Sequence, residues 1–103
     1  MKEIIQFKQL INDEKYYDAH EVLEELWFPI RKTKDHYCLV LKGFINGAVS
    51  LELYKRGKKV QSENVHKTYL KYTTSNKILE TRESEKFIDL KLFMDSKFNN
   101  IIS

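Results

Sequence analysis

Residues 19–27 read Ala-His-Glu-Val-Leu-Glu-Glu-Leu-Trp, and this stretch decides the fold class. Ala19, Val22, Leu23, Leu26, Trp27 and Ile30 recur at the three-and-four spacing of one buried helix face. At roughly 100° per residue, His20, Glu24, Trp27 and Arg31 form a second stripe along the edge of that face. Glu21 lies about 60° further round, and Glu25 points outward. Ionisable groups on the border of a core are where pKa values shift and ligands bind. The segment therefore predicts a helix and, on its edge, a site.

Working outward, 103 residues suffice for one domain spanning 1–103 and are too few for two. With 42% apolar and 13% aromatic residues the chain can bury a real core. Three Gly and one Pro leave little turn chemistry for a many-stranded sheet. The expectation is an all-α fold, a small bundle of about five helices.

The formal charge of +3 is spread over alternating Lys and Glu, the pattern of solvated helix faces. The densest basic run, Lys55-Arg56-Gly57-Lys58-Lys59, sits at a helix end, where cations complement the macrodipole. A nucleic-acid footprint needs a longer stripe with interleaved aromatics, so no nucleic-acid partner is expected. The lone Cys38 excludes an internal disulfide, suits a reducing compartment and, beside Tyr37 and Leu39, reads as a buried thiol. The opening residues, Met1 to Lys8, break any apolar run too early for a signal peptide. No run approaches the roughly 18 apolar residues of a membrane span. The expected location is cytoplasmic, with no membrane partner.

Five helical segments emerge. The first, from Lys2 to Ile11, puts Ile4, Ile5, Phe7 or Lys8, and Ile11 on one face. The second runs from Tyr16 to Arg31 and should kink or end near Phe28, because Pro29 removes a hydrogen bond. The third, residues 35–56, is apolar all round and should be the central element, with Asp35 as its cap and Gly57 its stop. Gly43 and Gly47 recur four apart in it, with Ser50 on the same flank. Such glycines imply close backbone approach, either within the bundle or as a homodimer seam through the Gly43/Gly47 face. A fourth helix, Ser62 to Tyr72, uses Val65, Tyr69, Leu70 and Tyr72. Residues 77–86 read equally as helix or loop. The last helix is expected after Asp89 as N-cap, burying Leu90, Phe93, Met94 and Ile101.

The run Tyr17-Asp18-Ala19-His20-Glu21-Val22-Leu23-Glu24-Glu25-Leu26-Trp27 resembles the signature of the "domain of unknown function 309" family, aromatic-x-A-H-E-x-x-E-x-x-W. Leu41-Lys42-Gly43-Phe44-Ile45-Asn46-Gly47-Ala48 resembles that family's L-Q-G-L-I-Q-x-A helix, and Arg56-Gly57 its R-G-N turn. The resemblance spans residues 16–58. It implies a small multihelical all-α domain, typically a stand-alone bacterial protein, and no established activity. Lys42 and Asn46 depart from the family's glutamines, Glu52 and Leu53 from its usual histidine or aromatic residues, and Lys58 from its turn asparagine.

The cluster admits three readings. In the first, His20, Glu21 and Glu24 are convergent polar groups at the rim of an interhelical pocket for an unknown small molecule. Trp27 is then its wall, with Arg31 to neutralise an anion, and Glu52 enters from the apolar side of the third helix. In the second, the cluster only fixes helix packing, with the Trp27 indole N–H donating to an acceptor such as Glu24 and Glu52 paired with His20 or a lysine. In the third, His20 and Glu24 are metal ligands one turn apart, joined by the formal Glu-x-x-His of Glu63 and His66. Di-iron bundles use two such motifs plus two carboxylates, and only one is present in the right order, so neither a metal nor a cofactor is expected. Nucleophilic catalysis lacks support, because only His36 neighbours Cys38 and it points to another face. Any enzymatic role would fall to His20 as acid or base, oriented by Glu24.

Overall fold

The computed structural model describes residues 1–102, all in helices or short connections. Among the described residues there are six α-helices: α1 (Lys2–Asn12), α2 (Tyr16–Trp27), α3 (His36–Lys55), α4 (Lys59–Tyr72), α5 (Ser75–Leu79) and α6 (Ser84–Ile102), with a 3-10 turn at Phe28–Ile30. The fold is a small all-α bundle around α3. Among the described residues no helix is long and apolar enough to cross a membrane.

Local chemistry sets the boundaries. On α1, Ile4, Phe7 and Ile11 enter the core, whereas Ile5 is 61% exposed. One residue on from Ile4 is about 100° round the helix, which takes Ile5 off the buried face. The helix ends with Glu14 at φ 60, and the Lys15 N–H reaches back to the Leu10 carbonyl. Pro29 converts the end of α2 into the 3-10 turn rather than a kinked continuation to Arg31. Asp35 caps α3, its carboxylate accepting from the Cys38 N–H at 2.9 Å. Gly57, at φ 79, ends α3 with its N–H on the Tyr54 carbonyl and the Lys58 N–H on that of Leu53. Cys38 is buried in its first turn.

Helix α3 is buried round most of its circumference by Val40, Leu41, Phe44, Ile45, Ala48 and Leu51. Its glycine flank is filled by the chain itself. A Cβ on Gly43 would sit 2.7 Å from Thr73 Cγ2 and 3.0 Å from Tyr72 Cβ; one on Gly47 would sit 3.0 Å from the Tyr69 ring and 3.2 Å from Met94 Cε. Of the two readings of these glycines, close approach within the bundle is the one seen: both are buried, and their near neighbours belong to α4, its C-terminal cap Thr73, and α6. Ser50 extends the contact, its hydroxyl donating to the Ser62 carbonyl (2.9 Å) while the Ser62 hydroxyl donates to the Ser50 carbonyl (2.8 Å).

Three other expectations change. Helix α4 starts at Lys59, since Ser62 is an inward-facing residue of its first turn, and Leu70 faces solvent. Residues 77–86 divide into the end of α5, a turn in which the Thr81 hydroxyl donates to the Ile78 carbonyl, and the start of α6. Asp89 is not a cap: α6 begins five residues earlier, and Asp89 pairs with Lys8 of α1 from the helix interior. Leu90 and Met94 are buried as expected, with Phe93 and Ile101 partly so, and Phe87 and Phe98 join the core.

Candidate functional site

The first turn of α2 and the last turns of α3 meet around His20. Its side chain is 14% exposed. Nδ1 lies 2.5 Å from the Tyr17 carbonyl oxygen, and the Tyr17 ring tilts against the imidazole at 4.7 Å between centroids. A carbonyl only accepts, so Nδ1 carries a proton. Nε2 is 3.6 Å from the Glu24 carboxylate, one turn on, which is 48% exposed.

From α3, Glu52 approaches with a side chain only 19% exposed. Its partner is Arg56, whose Nε donates to Oε2 at 2.6 Å, rather than the His20 or lysine expected from sequence. The i,i+4 spacing lets Arg56 neutralise the carboxylate from within the same helix. Tyr17, His20, Val49, Glu52, Leu53 and Arg56 together line a cavity of about 270 Å³.

The six residues singled out in the sequence therefore divide. His20 and Glu52 converge. Glu21 and Glu24 line a separate, shallow cavity with Glu25, Phe28 and Pro29. Arg31 leaves the cluster altogether: its guanidinium stacks 3.7 Å from the Phe28 ring centroid and donates to the Phe28 carbonyl. Trp27 packs against the core and lines neither cavity; its indole N–H is buried with no acceptor among the described residues, since the Glu24 carboxylate is turned to His20 and solvent. Tyr17, Val49, Leu53 and Arg56 were not singled out as site residues. Tyr17, as the aromatic residue of the signature, and Arg56, by its spacing from Glu52, carried a sequence signal.

Glu63 and His66 do not join the site. They line a cavity of about 170 Å³ with Tyr54, Lys59 and Ser62. Among the described residues no three His, Cys, Asp or Glu side chains form a group that could hold a metal ion. His66 is an aromatic packing residue, 4.3 Å from the Phe98 ring and 5.5 Å from that of Tyr69; burial, then the Lys91 charge, lowers its pKa.

A second polar cluster, not anticipated from sequence, joins α4 to α6. The buried Tyr69 hydroxyl donates to Asp95 Oδ1 at 2.8 Å, and burial and that carboxylate push its pKa far up. Lys91 Nζ donates to the Thr73 hydroxyl at 2.9 Å and sits 4.3 Å over the Tyr69 ring, while Thr73 donates to the Tyr69 carbonyl at 2.6 Å. Burial lowers the Lys91 pKa.

No curated protein and no solved structure matches this chain. A family model does match, over residues 4–65, which takes in α1, α2, α3 and the first half of α4 and so both walls of the His20 cavity. That match covers more than half of the chain, and the chain belongs to the family described as a domain of unknown function (DUF309).

Proposed function

We propose that this helical domain binds a small ligand in the cavity between α2 and α3, with His20 and Glu52 as its polar anchors. One observation carries the reading. His20 and Glu52 are largely buried, yet among the described residues all their polar contacts run to residues three or four away in the chain, within their own helix or its cap. Side chains that fix helix packing reach across to another helix, as Tyr69 and Ser50 do. A partly buried imidazole that ties nothing together, beside a carboxylate and a cavity, fits a binding role better than a packing role.

The chemistry of the lining indicates the ligand. The Glu52 carboxylate is an acceptor and the His20 imidazole a second polar group, Val49 and Leu53 supply apolar wall, and the Tyr17 ring is half-exposed at the rim. The ligand is a small molecule with at least one hydroxyl or amine donor and an apolar portion against α3. Glu21, Glu24, Trp27 and Arg31 stand outside this cavity and contribute to it only through the Glu24 contact with His20.

The test is a two-dimensional NMR titration with a fragment set of small alcohols and amines, following the His20 ring protons and the amides of Tyr17, Leu53 and Arg56. Binders that shift these signals in the wild type and fail to do so in both His20→Gln and Glu52→Gln support the reading. Fragments that leave the His20 signals unmoved, or bind both variants unchanged, overturn it.

A further inference from the structure

Where the start of α2 and the end of α3 meet the ends of α1 and α6 lies a larger, open cavity of about 510 Å³. No lining residue is shared with the His20 cavity. Its apolar wall is Ile11, Leu51 and Tyr16, all buried, with Tyr54 beside them. Its charged groups are Lys55, Lys97 and Glu14. Lys55 Nζ donates to the Glu14 carbonyl at 3.0 Å, which holds the ammonium in place and leaves two of its three donors free. Lys97 lies 5.5 Å from the Phe93 ring centroid. Among the described residues neither ammonium forms an ion pair with a carboxylate. Among the described lining residues, two cations stand against one carboxylate, an excess of positive charge.

We infer that this cavity is a binding site for a lipophilic monocarboxylate, its carboxylate held by Lys55 and Lys97 and its apolar body laid against Tyr16, Leu51 and Ile11. The volume falls within the range of small-molecule sites, about 300–1,000 Å³. Apolar wall with a few polar groups at one end is the usual composition of such sites. The charge decides the class, because an amine of the same shape would bring a third cation to the rim.

The probe is decanoate, titrated into the full chain and followed by amide NMR, with decylamine as a control of equal chain length. Saturable shifts at Asn12, Tyr54 and Asn100 are expected, at least tenfold weaker apparent affinity in a Lys55→Met/Lys97→Met double variant, and at least tenfold weaker binding of decylamine. Both lysines carry exposed surface, so the double variant keeps the core intact, and circular dichroism checks this. Equal affinity for decylamine, undiminished affinity in the double variant, or shifts confined to other parts of the protein would each overturn the inference. His20→Gln is expected to bind decanoate like the wild type. Loss of decanoate binding in that variant assigns the ligand to the His20 cavity and sinks the inference.

Discussion

The His20 cluster and the Tyr69 cluster hold similar side chains and do opposite things with them. Around Tyr69, each polar group reaches another element: Tyr69 to Asp95, Lys91 to Thr73, Ser50 and Ser62 to each other's carbonyls. Around His20, the hydrogen bonds and ion pairs close within three or four residues of the same helix. The first arrangement couples helices, so its loss separates them. The second leaves α2 and α3 joined only by apolar contacts there and keeps polar groups turned to a cavity. A cluster's composition therefore says little about its role. The range of its bonds says more.

That contrast can be broken most forcefully at Tyr69. Truncation by Tyr69→Ala opens a fully buried site and strips Asp95 of its donor, and is expected to cost about 3–5 kcal/mol in urea unfolding. Gly43→Ala comes next, at about 1–3 kcal/mol, since the added methyl meets Thr73 and Tyr72 at or inside contact distance. His20→Ala is expected to cost under about 1 kcal/mol in the same assay, because it removes only local contacts. A loss as large as that of Gly43→Ala would show His20 to be a packing residue and erase the difference between the clusters.

Alkaline titration sharpens the comparison with a smaller effect. The folded-state pKa of Tyr69 is raised, so the folded chain keeps its phenol proton above pH 10 while the unfolded chain releases it. The stability tied to Tyr69 is therefore fully present below about pH 10 and lost as pH rises above it. Tyr69→Phe is expected to be less stable than wild type at neutral pH and to converge on it between pH 10 and 11, measured as melting temperature. A constant gap across that range would mean that the phenol titrates normally.

Most of the fold was legible in the sequence because its boundaries rest on local chemistry. Pro29, Asp35 and Gly57 act on their nearest neighbours, and each stops or starts a helix where its identity requires. The apolar circumference of α3 announced a central element. The start of α6 was misread because Asp89 has the composition of a cap and none of its position; its partner, Lys8, lies 81 residues away in sequence. The Tyr69 cluster was invisible for the same reason, since no spacing rule relates a residue of α4 to one of α6. In the site, the helical angle of Glu52 put a carboxylate on the apolar side of α3 and left its partner open between His20 and a lysine, whereas its ion pair runs to Arg56. The dispersal of Arg31 and Trp27 was not anticipated, because 3-10 geometry after Trp27 turns Arg31 back onto Phe28.

The glycine seat on α3 also has a consequence in time. Helices α3 and α4 are joined by three residues, Arg56 to Lys58, so their packing through Gly43, Gly47 and Ser50 closes a short loop. Contacts local in the chain form with little loop entropy, whereas α1 meets α6 only after nearly the whole chain is ordered. The α3–α4 hairpin is thus expected in the folding transition state, with Gly43→Ala slowing refolding and Phe98→Leu on α6 mainly accelerating unfolding. Stopped-flow chevrons of the two variants would reveal the order, and a Gly43→Ala effect confined to the unfolding limb would reverse it.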